Sequence, residues 1–216
     1  MRCGDLLLYA VTDRGWSDRE HPFIWQVEEA LKGGVTMLQL REKELSKEEC
    51  YREALEVQRL CRQYQVPFLI NDHVELACCL DADGVHVGQT DMEASLVREK
   101  IGKEKILGVS VQTVEQAVLA QRQGADYLGV GAIFATQSKA DAQAVEIEVL
   151  RQIVQTVSIP VIAIGGIVEE NLDQLAGTGI CGVAVIRAVF AQKEIPSAVL
   201  RLRRRCEQLF EIGGRS

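Results

Sequence analysis

The chain has 216 residues, 47% hydrophobic and 25% charged. That is the balance of a globular protein with a sizeable core, so disorder and collagen-like repeats are excluded. Lys+Arg 24 against Asp+Glu 31 gives a net charge of −7, which lacks the positive footprint that drives nucleic-acid binding; with no apolar run near the ~18 residues that cross a bilayer and no signal-peptide pattern, no membrane partner and a cytoplasmic location are expected.

Short aliphatic runs alternate with stretches of helical periodicity, which predicts parallel strands joined by crossover helices. The runs stand at about 6–11, 36–40, 67–70, 84–87, 106–109, 127–130, 161–164 and 182–186. Between them, helices are predicted over 47–64, with Cys50, Ala54, Val57, Leu60 and Cys61 on one stripe, over 92–101, and over 113–123 behind a Thr-x-x-Gln capping box. The related texts Asp81-Ala82-Asp83-Gly84, Gly124-Ala125-Asp126-Tyr127 and Gly179-Ile180-Cys181-Gly182 mark helix stops followed by strand starts. Eight strand–helix units in a chain of this length fit an α/β fold closed as a single (β/α)8 TIM barrel. An open doubly wound sheet would place a glycine-rich turn where Thr12-Asp13-Arg14 stands. One barrel domain is expected over 1–212, with 213–216 as a flexible tail.

Seven cysteines with no C-x-x-C pair read as reduced, mostly buried thiols rather than a disulfide framework or zinc site. The basic run Arg201, Arg203, Arg204, Arg205 reads as the solvated face of a last helix.

In such a barrel the chemistry sits at the carboxyl ends of the strands. After the second strand, period-two geometry puts Gln39, Arg41 and Lys43 on one side, where two cations can face one phosphate or diphosphate; the alternative is a surface loop paired with Glu42 or Glu44. The third strand ends in Asn71-Asp72 and the fourth is followed by Gln89-Thr90-Asp91. Carboxylates on neighbouring strands suit Mg2+, although each aspartate alone would also serve as a helix N-cap. The long polar loop after the sixth strand carries Thr136, Ser138 and Lys139. Gly165-Gly166 after the seventh and Ile186-Arg187 after the eighth occupy the usual phosphate position of barrels. Arg187 is open between a phosphate ligand and a salt-bridged helix residue. His73 and His86 have no triad partner, which favours packing or loop roles over catalysis.

Together the segments Tyr9-Ala10-Val11-Thr12-Asp13, Gln39-Leu40-Arg41-Glu42-Lys43, Asn71-Asp72, Asp83 to Asp91, Gly108-Val109-Ser110, Thr136 to Asp141 and Ala163 to Ile167 resemble, in order, the thiamine-phosphate synthase family. The resemblance implies a transferase that joins 4-amino-5-hydroxymethyl-2-methylpyrimidine diphosphate to a thiazole phosphate and releases diphosphate. It further implies pyrimidine substrate contacts at Gln39, Arg41, Lys43, Asn71, Ser110 and Lys139, with Arg41, Ser110 and Lys139 catalytic and Glu42 and Gln137 also among the substrate-binding residues. Mg2+ ligands are implied at Asp72 and Asp91, and thiazole phosphate contacts at Thr136, Ser138, Gly166, Ile186 and Arg187. Where the family commonly has Ser, this chain has Arg187; where it commonly has Thr, this chain has Ser138. The tautomerase branch of the superfamily is the near rival, and Gln112 where that branch tends to carry His argues against it. A non-catalytic phosphate-ligand sensor on the same scaffold is the rival from another class. Small-molecule substrates are the expected partners, with monomer and homo-oligomer both open.

Overall fold

A computed structural model describes residues 1–136 and 144–210. Eight parallel strands close into a barrel in sequence order: β1 (Leu8–Val11), β2 (Met37–Leu40), β3 (Phe68–Asn71), β4 (Gly84–Val87), β5 (Ile106–Val111), β6 (Tyr127–Val130), β7 (Val161–Ile164) and β8 (Gly182–Val185). Around it run α1 (Phe23–Gly33), α2 (Lys47–Tyr64), α3 (Val74–Leu80), α4 (Ala94–Ile101), α5 (Val114–Arg122), α6 (Ile147–Thr156), α7 (Arg187–Phe190) and α8 (Ile195–Leu209), with a 3-10 segment, Glu169–Leu175, between β7 and β8. Among the described residues no helix is long and apolar enough to cross a membrane. The expected tail at 213–216 lies outside the described residues.

Strand geometry sorts the core into two layers, because alternate side chains point to opposite faces. Tyr9, Met37, Leu69, Tyr127, Ile162 and Ala184 point inward and fill the barrel with Leu6 and Cys181. Their neighbours Leu8, Leu38, Phe68, Ile70, Val85, Leu128 and Val183 point outward under the helices. Helix α2 buries the stripe read from its sequence, Cys50, Ala54, Val57, Leu60 and Cys61, and starts at Ser46, which exchanges a capping box with Glu49. Thr113 caps α5 by accepting the Gln116 N–H, but the return half of the box reaches one residue further, where Gln116 Oε1 accepts the Gln112 N–H at 2.8 Å.

The recurring helix-stop texts share a device at the bottom of the barrel. Their third residue accepts a backbone N–H from the start of the preceding strand: Asp83 from Phe68 at 2.8 Å and Asp126 from Leu107 at 2.7 Å. Thr36 does the same for Leu8 at 3.0 Å. At the corresponding place before β8 stands Cys181, which forms a disulfide with Cys3. This corrects the expectation of fully reduced thiols: no sequence spacing announces a bridge between residues 178 apart. Of the free cysteines, Cys50, Cys61 and Cys206 are buried while Cys78 and Cys79 are exposed. The basic run lies on α8, where Arg201 pairs with Glu169, Arg205 with Asp173 and Arg203 with Glu207.

Candidate active site

The inward side chains nearest the carboxyl ends of the strands form a polar floor. Gln39, Asn71, His86 and Ser110 come from β2, β3, β4 and β5, and the register places Asn71 beside His86. Gln39 is buried and its Nε2 donates to the Tyr9 hydroxyl at 2.5 Å. Ser110 lies within β5 because that strand continues two residues beyond its predicted end. Its Oγ sits 2.8 Å from His86 Nε2, and its carbonyl accepts from Gln89 Nε2 at 2.8 Å.

Above this floor, the loop after β2 is held by the loop after β1. Thr12, fully buried, accepts the Arg41 N–H at 3.0 Å. Arg41 Nη1 lies 3.9 Å from Asp13 Oδ2, while Arg14 Nε donates to Glu42 Oε2 at 2.9 Å. Two crossed pairs therefore clip the loops together. Glu42, expected among the substrate contacts, directs its carboxylate to the protein's own groups. Its Oε1 accepts the N–H groups of Lys43 and Glu44 at 2.7 Å each and of Leu45 at 3.2 Å, and its side chain is 2% exposed. Burial alone would raise the Glu42 pKa, yet the Glu44 N–H, the Arg14 guanidinium and the Leu45 N–H outweigh it and hold the carboxyl below its ordinary value. Arg14 also pairs with Glu53 of α2, whose carboxyl burial pushes up. The alternative in which Glu42 neutralises the cations thus gives way: Glu42 belongs to Arg14, and Lys43 is exposed with no ion-pair partner among the described residues.

Neither aspartate of the expected metal pair is a helix cap. His73 caps α3 and Glu93 caps α4, which begins two residues after its predicted start. Asp72 closes β3 with φ +60°, a left-handed conformation that Asp and Asn adopt more readily than other non-glycine residues, and its N–H donates to the His86 carbonyl at 2.9 Å. Asp91 is exposed, and its Oδ2 accepts the Gly88 N–H at 2.7 Å, which folds the loop after β4 back over that strand's end. Among the described residues no group of three or more His, Cys, Asp or Glu gathers as a ready cation cage. The donor set is two carboxylates on loops following adjacent strands, beside a cationic loop. That combination fits Mg2+, which takes one or two carboxylates and completes its shell with water and substrate phosphate.

On the far side, Gly165 and Gly166 follow β7 with φ +88° and +66°. A β-carbon at Gly166 would stand 2.5 Å from the carbonyl oxygens of both Phe134 and Ala135, so the turn packs directly on the loop after β6. Ile186 follows β8 and caps the short α7, whose first residue, Arg187, is exposed and makes no ion pair among the described residues. Its salt-bridged alternative is therefore not realised. Thr136 is half-buried at the end of the described part of the β6 loop; Gln137, Ser138 and Lys139 lie outside the described residues.

Sequence reasoning missed Tyr9, Thr12, Arg14 and Tyr127 as parts of this site. The tyrosines had a legible signal, since each places a hydroxyl at an inward position of an otherwise aliphatic strand. Arg14 had none, because its partner Glu42 is 28 residues away.

A family model described as thiamine monophosphate synthase matches residues 8–189. The thiamine-phosphate synthase of Ruminiclostridium cellulolyticum is 50% identical over 198 residues, covering 92% of this chain and 94% of that protein. The corresponding protein of Clostridium acetobutylicum is 47% identical, covering 90% and 92%. Among solved structures, thiamine phosphate pyrophosphorylase from Pyrococcus furiosus superposes with a TM-score of 0.88 at 38% identity, over 97% of this chain and 99% of that one.

Proposed function

The chain belongs to the thiamine monophosphate synthase family and is a transferase of thiamine biosynthesis, and from that premise we propose how its residues divide the work. It condenses 4-amino-5-hydroxymethyl-2-methylpyrimidine diphosphate with a thiazole phosphate, giving thiamine phosphate and diphosphate. The observation that carries the assignment of roles is the cationic loop of Arg41 and Lys43, clipped by Thr12, Asp13 and Arg14 beside Asp72 and Asp91.

Breaking the bond between the pyrimidine methylene carbon and the diphosphate leaves charge on the departing oxygens. Arg41, Lys43 and Lys139 neutralise that charge as it develops. Asp72 and Asp91 would hold Mg2+, which supplies further charge stabilisation at the diphosphate. Gln39, Asn71 and Ser110 bind and orient the pyrimidine, whose amino group spreads the positive charge left on the methylene carbon. Thr136, Gln137, Ser138, Gly166 and the Ile186-Arg187 turn hold the thiazole phosphate so that the ring nitrogen reaches the cation in line. This route needs no protein nucleophile. The reaction belongs in the cytoplasm with the small-molecule pathway it serves.

The test is a coupled assay with both purified substrates, with and without Mg2+. Equimolar thiamine phosphate and diphosphate, lost on chelation, support the division of roles. Turnover indifferent to chelation removes the metal from it, and binding without turnover identifies a sensor.

A further inference from the structure

Behind the cationic loop, one carboxylate is only half used. Glu53 lies on α2 with its side chain 13% exposed. Its Oε2 accepts from Arg14 Nη2, whereas its Oε1 is buried and has no hydrogen-bond partner among the described residues. Arg14 is therefore shared. Its Nη2 serves Glu53, its Nε serves Glu42 at 2.9 Å, and its guanidinium carbon stands 4.8 Å from the centre of the Phe23 ring of α1. A single cation thus ties α1 and α2 to the loop that carries Arg41 and Lys43.

One positive charge stands here against two carboxylates, and the two are not equivalent as proton acceptors. Both oxygens of Glu42 already accept, Oε1 from three backbone N–H groups and Oε2 from Arg14 Nε. A proton there would displace a donor, and a buried donor left without an acceptor costs free energy. Glu53 Oε1 accepts nothing among the described residues, so a proton enters there without breaking a hydrogen bond. The surroundings agree. Burial raises the Glu53 pKa against the pull of Arg14, with Glu42 and Glu56 adding to the rise, while Glu42 is held below its ordinary value. The other titratable neighbours are the Cys50 thiol of the same helix, which burial keeps neutral, and the exposed Glu49. An ionised Glu53 grips Arg14 through a charge-assisted hydrogen bond; a protonated one offers only a weaker neutral acceptor.

We propose that Glu53 is a positioning residue for diphosphate binding: its ionised carboxylate holds Arg14, and through it Glu42 and the Arg41–Lys43 loop, in the binding pose, and a proton taken up at Oε1 loosens that hold. This rests on the reading that the loop grips a diphosphate, but the titration of Glu53 is measurable without any ligand.

The test compares the wild type with Glu53→Gln, which keeps the size of the side chain and an acceptor for Arg14 but cannot ionise. Calorimetry with inorganic diphosphate and Mg2+ should find the variant binding about fivefold more weakly at about pH 8, the scale of exchanging a charge-assisted hydrogen bond for a neutral one. The ratio of the two Kd values should fall toward one by about pH 5, where the wild type is protonated as well; titration of the diphosphate itself cancels in that ratio. Carbon-13 NMR of glutamate-labelled wild type should show a side-chain carboxyl that titrates above the ordinary 4.5 and is missing in Glu53→Gln. A wild type in which every glutamate titrates at or below 4.5 overturns the proposal, and needs no variant, so it decides even if Glu53→Gln fails to fold. A Kd ratio that is the same at every pH makes Glu53 a packing residue and overturns the positioning role alone. A wild type that binds no diphosphate overturns the functional reading of the loop and the positioning role with it, whatever Glu53 titrates as.

Discussion

Replacing Glu42 with Gln tests the clip that shapes the cationic loop. The carboxylate uses both oxygens as acceptors, Oε1 from three backbone N–H groups and Oε2 from Arg14 Nε. An amide has one acceptor oxygen, so Glu42→Gln must turn its NH2 toward either Arg14 or the three N–H donors. Breaking a buried ion pair by changing one partner costs about 3–5 kcal/mol. Arg14 is 26% exposed and keeps Glu53, which lowers the expectation to about 2–3 kcal/mol. In a domain of this size that is a drop in Tm of about 5–10 °C, read by thermal and urea unfolding. Because the loop carries Lys43, KM for the pyrimidine diphosphate should rise as well. A loss under about 0.5 kcal/mol, the scatter of ordinary surface substitutions, with KM unchanged would refute the reasoning.

Four further outcomes follow from particular residues. Glu42 has a folded pKa below its ordinary 4.5, so it adds stability that is present above 4.5 and lost as pH falls through the folded value; between about pH 6 and pH 3 the wild type should lose more unfolding free energy than Glu42→Gln, and equal losses would contradict this. Asp72→Asn keeps a residue that tolerates φ +60°. It should preserve the melting temperature and raise the Mg2+ needed for half-maximal rate by at least about tenfold; an unaltered Mg2+ titration counts against Asp72 as a ligand. Gly166→Ala meets two carbonyl oxygens at a left-handed position and should cost about 2–4 kcal/mol in urea unfolding, with no loss telling against the packed turn. Thiol titration of the denatured, unreduced chain should find five free cysteines, given the Cys3–Cys181 bridge; seven would contradict it.

Much of the architecture was legible because it rests on local period and punctuation. All eight strands sit where aliphatic runs recur, and α2 occupies 47–64 because Ser46 and the buried stripe fix its start and face. What was not legible depends on contacts across the barrel. Asp91 looked like the cap of the next helix, but its carboxylate turns back to Gly88, and the helix starts behind Glu93. Glu42 sits in the motif between Arg41 and Lys43, yet its period points it outward, to an arginine from the preceding unit. Tyr9 and Tyr127 are 118 residues apart, and only closure of the barrel brings their hydroxyls together. Sequence pattern therefore locates the strand ends that carry the chemistry, while the groups that orient them become visible only in three dimensions.

The central claim is that Asp72 and Asp91 hold one divalent cation against the diphosphate gripped by Arg41 and Lys43. The direct measurement is an anomalous difference map from crystals grown with Mn2+ and the pyrimidine diphosphate. The account predicts a single peak at the carboxyl ends of β3 and β4, bonded to an oxygen of each aspartate and to the diphosphate. A peak bonded to neither aspartate, or no peak beside a bound diphosphate, would contradict it.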